Sequence, residues 1–369
     1  LTQIGGRDAA GACYGCPVGA EILSDFHKSH REAKPLSEDA VLPIAITEGQ
    51  LSTSTEGSRI ERSLQAWTNA ARGAFAKNTE RAWRADWQRF AAFCERGQRV
   101  TLPADPPTIV DYIRECVESQ RKYATIARYL ATIARAHRAA QCLNPCSDER
   151  VRLALRATGR ALGKQQQQAK ALGWREIEQF LALPVDVLRD HRDRAMVMVG
   201  YELLCRSEEL VALDWEHLSF DDTDGSATVL IIRSKTDQEG EGRTSYLSPA
   251  TVRLLRQWLT EAKIVEGALF RGVQGKHQVG ERLKPTAVAS IFMRVGLRIG
   301  LPRAEARRLT GHAARVGATQ DALAAGLDTA EVAIAGRWQD PRMVIRYGRK
   351  VLAKQGAMAK LAKLHGRSS

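Results

Sequence analysis

From Asn78 onward the apolar positions recur at helical spacing: Trp83, Trp87, Phe90 and Cys94 fall at i, i+4, i+7 and i+11. Asn78-Thr79 offers a cap before this run and Gly97 a stop after it. Pro103-Ala-Asp-Pro-Pro107 interrupts the pattern as a turn, and Val110, Ile113 and Val117 then make a second stripe. A third helix is expected from Thr125, with Ile126, Leu130, Ile133 and His137 on one face. Residues 56–162 thus predict an all-helical domain. Residues 1–55 show no sustained period and read as a flexible extension. The polar stretch 163–170, four glutamines long at its centre, reads as a linker.

Beyond it, residues 171–369 predict a second domain of mixed character. Helices are expected over Trp174–Leu183 and Val187–Leu204, the latter with Met196, Val199 and Leu203 toward the core. A short helix starts at Arg206. The β-branched run Ala227–Ile232 and the return Arg243–Leu247 predict a hairpin. Helices follow at Thr251–Ala262 and Pro285–Ile299, with the Gly-rich, basic segment Phe270–Arg282 between them read as a loop. Near the end, the Ala-rich run Ala313–Ala325 closes at Gly326, and Thr329–Ala335 closes at Gly336. Asp340-Pro341 starts another helix that carries Tyr347 about two turns along. The tail Val351–Leu364 is amphipathic, with Met358, Leu361 and Leu364 on one face. The fold class is therefore mainly α: an all-helical N-terminal domain, then a mostly helical α/β domain with a small β-hairpin sheet.

Charge changes the picture. The 369 residues hold 55 Lys and Arg against 42 Asp and Glu, a net charge of +13 that points to a polyanionic partner. Arg81, Arg84, Arg89, Lys122, Arg128, Arg135 and Arg138 lie between the apolar stripes of the first domain, either as a solvated face or as phosphate contacts of a DNA clamp. Arg282, Arg303, Arg307 and Arg308 are further candidates for phosphate contact. No run of 18 apolar residues predicts a membrane span, and the N-terminus lacks a secretion signal, so a cytoplasmic protein is expected. The seven cysteines then read as reduced thiols. Cys13-Tyr-Gly-Cys16 has no second pair at zinc spacing, so neither metal nor cofactor is expected.

The candidate chemistry lies in Gly311–Lys350. His312 and Arg315 are three residues apart and share a face of the first helical turn; Trp338 and Tyr347 follow. Imidazole, guanidinium, indole and phenol make a poor metal site and a good phosphate site, in which cations and N–H donors hold phosphoryl oxygens while the phenol attacks. Read singly, the two aromatics are equally core residues and His312 a helix cap, and spacing does not decide between these readings. The wording GHAARVGA, the AGRW box, a Tyr nine residues after that Trp and the tail QGAMAKL resemble the C-terminal catalytic block of the tyrosine recombinases, the phage-integrase family. Cys205-Arg-Ser-Glu-Glu209, a common surface pair by itself, resembles the family's first arginine box, with Cys205 where a Gly or Leu is usual. The hairpin-tip wording RSKT resembles its catalytic-lysine turn, and NTERAWRADWQRFAAFC with LPADPPTIVDYI resembles its core-binding domain.

The resemblance spans about residues 60–365 and implies a site-specific DNA recombinase that works without metal or ATP. It implies Tyr347 as nucleophile, with Arg206 and Arg315 as phosphate clamp and Glu209 as support for Arg206. By the same resemblance His312 assists proton transfer, Trp338 supplies an indole N–H where many relatives use His, and Lys235 is the general acid. A 3′-phosphotyrosyl intermediate and a Holliday junction follow. So do double-stranded DNA with inverted-repeat arms and a homo-tetramer on two sites, each C-terminal helix docking in a neighbour. The implied setting is the cytoplasm of a bacterium, with a phage, plasmid, transposon or chromosomal role left open. A type IB topoisomerase, an accessory-dependent integrase or resolvase, and a non-catalytic DNA-binding regulator stay open beside this reading.

Overall fold

The computed structural model of the chain describes residues 55–165, 167–232 and 242–367, in two compact units of which the second begins at Gln167. The first unit is all helix: α1 (Thr55–Ala71), α2 (Lys77–Arg96), α3 (Pro106–Glu118), α4 (Tyr123–Ala139) and α5 (Glu149–Leu162). The expected stripes of α2 and α4 supply most of its core, with Trp83 half-buried; on α3, Val110 and Val117 are only half-buried, and Ile109, Tyr112 and Cys116 take the inner face beside Ile113. Trp87, Phe90, Ile109, Ile113, Ile126 and Ile133 are all buried, joined by Ile60 from α1 and Val151 from α5. Each large apolar side chain removed from water in this way contributes about 1.5–3 kcal/mol.

Two helix starts differ from expectation. Helix α2 starts at Lys77, with Ala76 as an N-cap that makes no side-chain bond. Asn78 therefore lies inside the first turn, and its Oδ1 accepts from Arg81 at 3.0 Å. Helix α4 likewise starts at Tyr123, ahead of Thr125. The start of α3 follows local chemistry: Asp105 accepts the Thr108 N–H at 2.9 Å, while Pro106 and Pro107 occupy positions that need no N–H.

Fully buried His137 ties the turn before α3 to α4. Its Nδ1–H donates to the Ile133 carbonyl at 2.8 Å, and its Nε2 accepts the Ala104 N–H at 2.9 Å. Burial pushes its pKa down, against the opposing pull of the Ile133 carbonyl, so this ring is the neutral tautomer.

Two of the candidate DNA cations of this unit are also engaged in its packing. Arg128 pairs at 2.9 Å with Asp86, a carboxylate only 2% exposed that also accepts from Thr132. The Arg135 guanidinium lies 4.1 Å from the Trp83 ring centroid and 5.2 Å from that of Phe75. Arg81 and Lys122 are exposed, and Arg84 is half-buried.

The second unit begins within the stretch expected to be a linker. The Lys170 and Leu172 N–H groups donate to the carbonyls of Arg308 and Ala313, each at 3.0 Å, and Lys170 Nζ reaches Glu305 at 2.8 Å. After α6 (Trp174–Leu181), helix α7 (Leu188–Glu202) runs through the core, with Ala195 to Gly200 all buried. Its acidic residues near the N-terminus are paired: Asp193 with Arg192 and Arg294, and Asp190 with Arg298. Helix α8 (Ser207–Val211) precedes an antiparallel sheet of β1 (Leu218–Phe220), β2 (Ala227–Ile231) and β3 (Arg243–Leu247), in that order. Ala227, Val229 and Ile231 point inward while Thr228 and Leu230 are exposed, the period-two pattern of a half-covered sheet. Lys235, expected at the tip of the β2–β3 hairpin, lies outside the described residues.

Helix α9 (Pro249–Glu261) packs along α7, and a second hairpin of β4 (Arg271–Gln274) and β5 (Gln278–Arg282) follows. The segment expected as a loop is therefore a hairpin. Its glycines masked an alternation in which Val273 pairs with Val279 and both pack on the core. Next come α10 (Pro285–Arg298), α11 (Arg303–Ala306), α12 (Ala313–Ala324), α13 (Thr329–Ala335), α14 (Arg342–Gln355) and α15 (Ala357–Leu364). The tail expected to be one amphipathic run is split at Gly356, and α15 has no buried residue. No described helix is long and apolar enough to cross a membrane.

Candidate active site

The site is assembled around the C-terminal end of α7. After Glu202 the chain passes through Leu203 and Leu204, the latter at φ +46°, and leaves backbone carbonyls at the negative end of the helix dipole. Two buried guanidinium groups cap them. Arg315, on the first turn of α12 and 1% exposed, donates to the carbonyls of Leu204 and Gly336. Its guanidinium lies 3.9 Å from the Trp338 ring centroid. Burial first, then the neighbouring charge of Arg206, pushes Arg315 down to about 9, which leaves it cationic at neutral pH. Arg337, 5% exposed and held at φ +56°, donates to the Leu203 carbonyl at 2.9 Å and the Leu204 carbonyl at 3.5 Å.

Arg206 and Glu209 form the expected pair. Glu209 closes the start of α8 by accepting the Arg206 N–H at 3.1 Å and the Arg206 guanidinium at 2.5 Å. Its second partner was not picked out from the sequence: Arg337 Nη2 donates to Glu209 Oε2 at 2.9 Å. Burial pushes the Glu209 carboxyl up, but Arg337, the Arg206 N–H and the Arg206 guanidinium outweigh it and hold the pKa below the usual carboxylate value. Cys205, at the position where the family pattern has Gly or Leu, is buried 4.0 Å from Arg337 Nη2. Burial pushes that thiol up to about 12, so it stays protonated and inert.

Small residues allow the close approaches. A Cβ at Gly311 would lie 1.8 Å from Ser207 Oγ, so glycine lets the start of α12 meet α8. His312 is the N-cap of α12 and exposed, with its N–H 3.4 Å from Thr310 Oγ1, whereas Arg315 three residues on is buried. Trp338, expected as an N–H donor, presents the face of its ring to Arg315 and lies 5.7 Å, at a tilt of 54°, from the Tyr347 ring.

Tyr347 is half-buried on α14. Its backbone carbonyl accepts from Gln320 Nε2 at 3.0 Å and Gln168 Nε2 at 3.1 Å, two positioning contacts that no periodicity signals. The fold thus brings Arg206, Glu209, Arg315, Trp338 and Tyr347 together. Guanidinium groups, an indole and a phenol lie side by side, a set of groups suited to a phosphodiester.

Of the candidate phosphate contacts in this unit, Arg303 and Arg307 are exposed at α11 and its C-cap. Arg282 is held by the Val211 carbonyl at 2.9 Å and by Asp214 at 2.6 Å.

The chain is similar to known proteins in sequence and fold. Residues 170–352 match the phage integrase family. The integrase/recombinase XerD homolog of Selenomonas ruminantium is 29% identical over 287 residues, covering 74% of this chain and 81% of the relative. The recombinase Cre of Escherichia phage P1 is 27% identical over 308 residues, covering 79% and 89%. Among solved structures, XerH recombinase in a post-cleavage complex with palindromic difH substrate superimposes with a TM-score of 0.55 at 14% identity, over 87% of this chain and 90% of that one. A lambda integrase dimer bound to a COC′ core site gives 0.51 at 15% identity, over 79% and 76%.

Proposed function

The chain belongs to the phage integrase family and is a tyrosine site-specific recombinase; from that premise we propose how its residues divide the work on DNA. Tyr347 attacks the scissile phosphorus, forming a 3′-phosphotyrosyl bond as the bond to the 5′-oxygen breaks. The phenol proton passes to His312, and the departing oxygen takes a proton from Lys235. Arg206 and Arg315 hold the non-bridging oxygens and neutralise the charge that builds on them. Trp338 fixes Arg315 from one face and borders Tyr347 with its other contacts. The phosphodiester energy is kept in the phosphotyrosine, so rejoining needs no ATP. Attack by the 5′-hydroxyl of a partner duplex reverses the step, and two rounds make and resolve a Holliday junction.

The observation that carries this reading is the contiguous run Arg206–Glu209–Arg337 beside Arg315–Trp338–Tyr347. The Tyr347 ring lies against Trp338, which stacks on the buried Arg315 guanidinium, and this proximity of phenol and cations supports the reading. We further assign the first unit as the partner clamp on the duplex, the part of the expected linker that precedes Gln167 as the tether between the two, and Arg81, Arg84, Lys122, Arg303 and Arg307 as phosphate contacts. The target is a duplex with inverted arms, bound in the cytoplasm. Helix α15 docks in a neighbouring subunit of a tetramer on two sites, which accounts for the exposure of Met358 and Leu364, at 71% and 82%. Truncation after Gln355 should spare DNA binding and weaken assembly, read by native gel.

The deciding experiment traps the intermediate. Wild type and Tyr347→Phe are incubated with nicked suicide DNA from the native flanking sequence, in EDTA without ATP, and run on a denaturing gel. A slower protein–DNA band for wild type alone supports the assignment. A band in both variants moves the nucleophile elsewhere. Binding with no band in either favours a DNA-binding regulator, and relaxation of a plasmid without joining favours a topoisomerase.

A further inference from the structure

We propose that Arg337 is a positioning residue of the reaction: it holds the Glu209 carboxylate ionised and in place, and through it orients Arg206. The inference rests on the recombinase reading above and gives a role to the Arg of the AGRW box, to which the family resemblance assigned none.

Three observations converge on it. First, Arg337 is a buried arginine in a backbone conformation, φ +56°, that side chains other than glycine rarely adopt, a cost that only surrounding contacts sustain. Second, those contacts are specific. The Nη2 group reaches the Leu203 carbonyl and Glu209 Oε2, both at 2.9 Å, and Nη1 reaches the Ala335 carbonyl at 3.3 Å. Third, Glu209 is itself 3% exposed and divides its oxygens between the two arginines, Oε1 toward Arg206 and Oε2 toward Arg337.

A buried carboxylate facing Arg206 alone would be free to swing or to take up a proton. Either change releases the guanidinium that is to meet the phosphate. A second cation, anchored to the main chain at the end of α7, blocks both. Arg337 also adjoins Trp338 in sequence, so the same short turn sets the support of Arg206 and the ring beneath Arg315. The two phosphate-binding arginines are thereby held to one frame.

The test compares the full chain with Arg337→Met, Arg337→Lys, Glu209→Gln and the Arg337→Met/Glu209→Gln double variant. Two readouts are taken. The first is single-turnover formation of the covalent complex on suicide DNA against pH, beside DNA affinity. Arg337→Met should slow cleavage by about tenfold to a hundredfold, the scale for a slightly misplaced reacting group, with affinity little changed. Its acid limb should move to higher pH, because Glu209 then takes up a proton sooner, and Arg337→Lys should recover part of the rate. In the Glu209→Gln background the same substitution should cost little. The second readout needs no DNA: the melting temperature of each protein across the acid range. Arg337→Met should lose stability at a higher pH than the parent, and the Glu209→Gln background should abolish that difference.

Equal and additive losses with an unmoved acid limb and unmoved melting profile would make Arg337 a packing residue only and overturn the proposal. A parent that forms no covalent complex would sink the recombinase assignment of this site. The melting cycle would then still decide whether Arg337 governs Glu209. If Arg337→Met does not fold, the Arg337→Lys variant carries both readouts.

Discussion

A Cβ placed on Gly336 would lie 1.9 Å from Cζ3 of Trp338, so the ring that carries Arg315 rests directly on a bare backbone. Gly336→Ala must push the indole aside and with it the guanidinium. We expect a stability loss of about 1–3 kcal/mol, the scale of an overpacked core, and a larger proportional loss of covalent-complex formation. Thermal melts and the suicide-DNA assay check both. Unchanged cleavage would show that the stack is not needed for the chemistry.

The first unit should depend on Arg128 as a partner of Asp86. Removing the arginine leaves the buried Asp86 carboxylate with Thr132, so Arg128→Met should destabilise by about 1–3 kcal/mol. Adding Asp86→Asn should recover part of that loss, since no buried charge is then left unpaired. Denaturant titration of the single and double variants measures it. A Met variant as stable as the parent would return Arg128 to the role of a free surface cation.

His137 predicts a pH dependence of folding. Its folded pKa lies below the ordinary imidazole value of about 6.5, because burial disfavours the imidazolium. The unfolded chain therefore binds the proton first. Stability should fall as pH drops through about 6.5 and go on falling until the folded-state pKa is reached. His137→Gln should flatten this part of the pH–stability curve, read by melts between about pH 7 and 5. A curve of unchanged slope would refute the assignment.

Exposed Arg303 and Arg307 should act on DNA as point charges. Arg303→Gln and Arg307→Gln should each reduce the slope of log affinity against log salt by about 1, on any duplex sequence. Competition binding at several salt concentrations reads this directly. An unchanged slope would remove that residue from the interface.

The sequence made the apolar stripes of α2 and α4 legible because each keeps a helical period over a domain core, whereas the inner face of α3 runs through Ile109, Tyr112 and Cys116, one residue before the expected Val110, Ile113 and Val117. The residues Arg206, Glu209, Arg315, Trp338 and Tyr347 were legible through family wording, and the structure places them together. Other parts were hidden for physical reasons. The β4–β5 hairpin was concealed by Gly272, Gly275 and Gly280, whose composition looks like a loop while the backbone pairs as strands. The Gln168 and Gln320 contacts to Tyr347 end on a carbonyl, which every residue has, so no residue type betrays them. Arg337 was missed because its value depends on a backbone angle and on Glu209, which is distant in the chain.

Both buried arginines of the site donate to main-chain oxygens of Leu203 and Leu204, in addition to the contacts they make with the Glu209 and Trp338 side chains. Main-chain oxygens are indifferent to mutation. The turn between α7 and Arg206 can therefore drift in sequence while the anchorage persists, provided the backbone path is kept. This chain already displays such drift: Cys205 stands where the family pattern has a Gly or a Leu, and the arginines remain docked around it. Substitutions in this turn are thus an evolutionarily inexpensive way to retune packing behind the reaction centre, and directed-evolution libraries would find tolerant positions there.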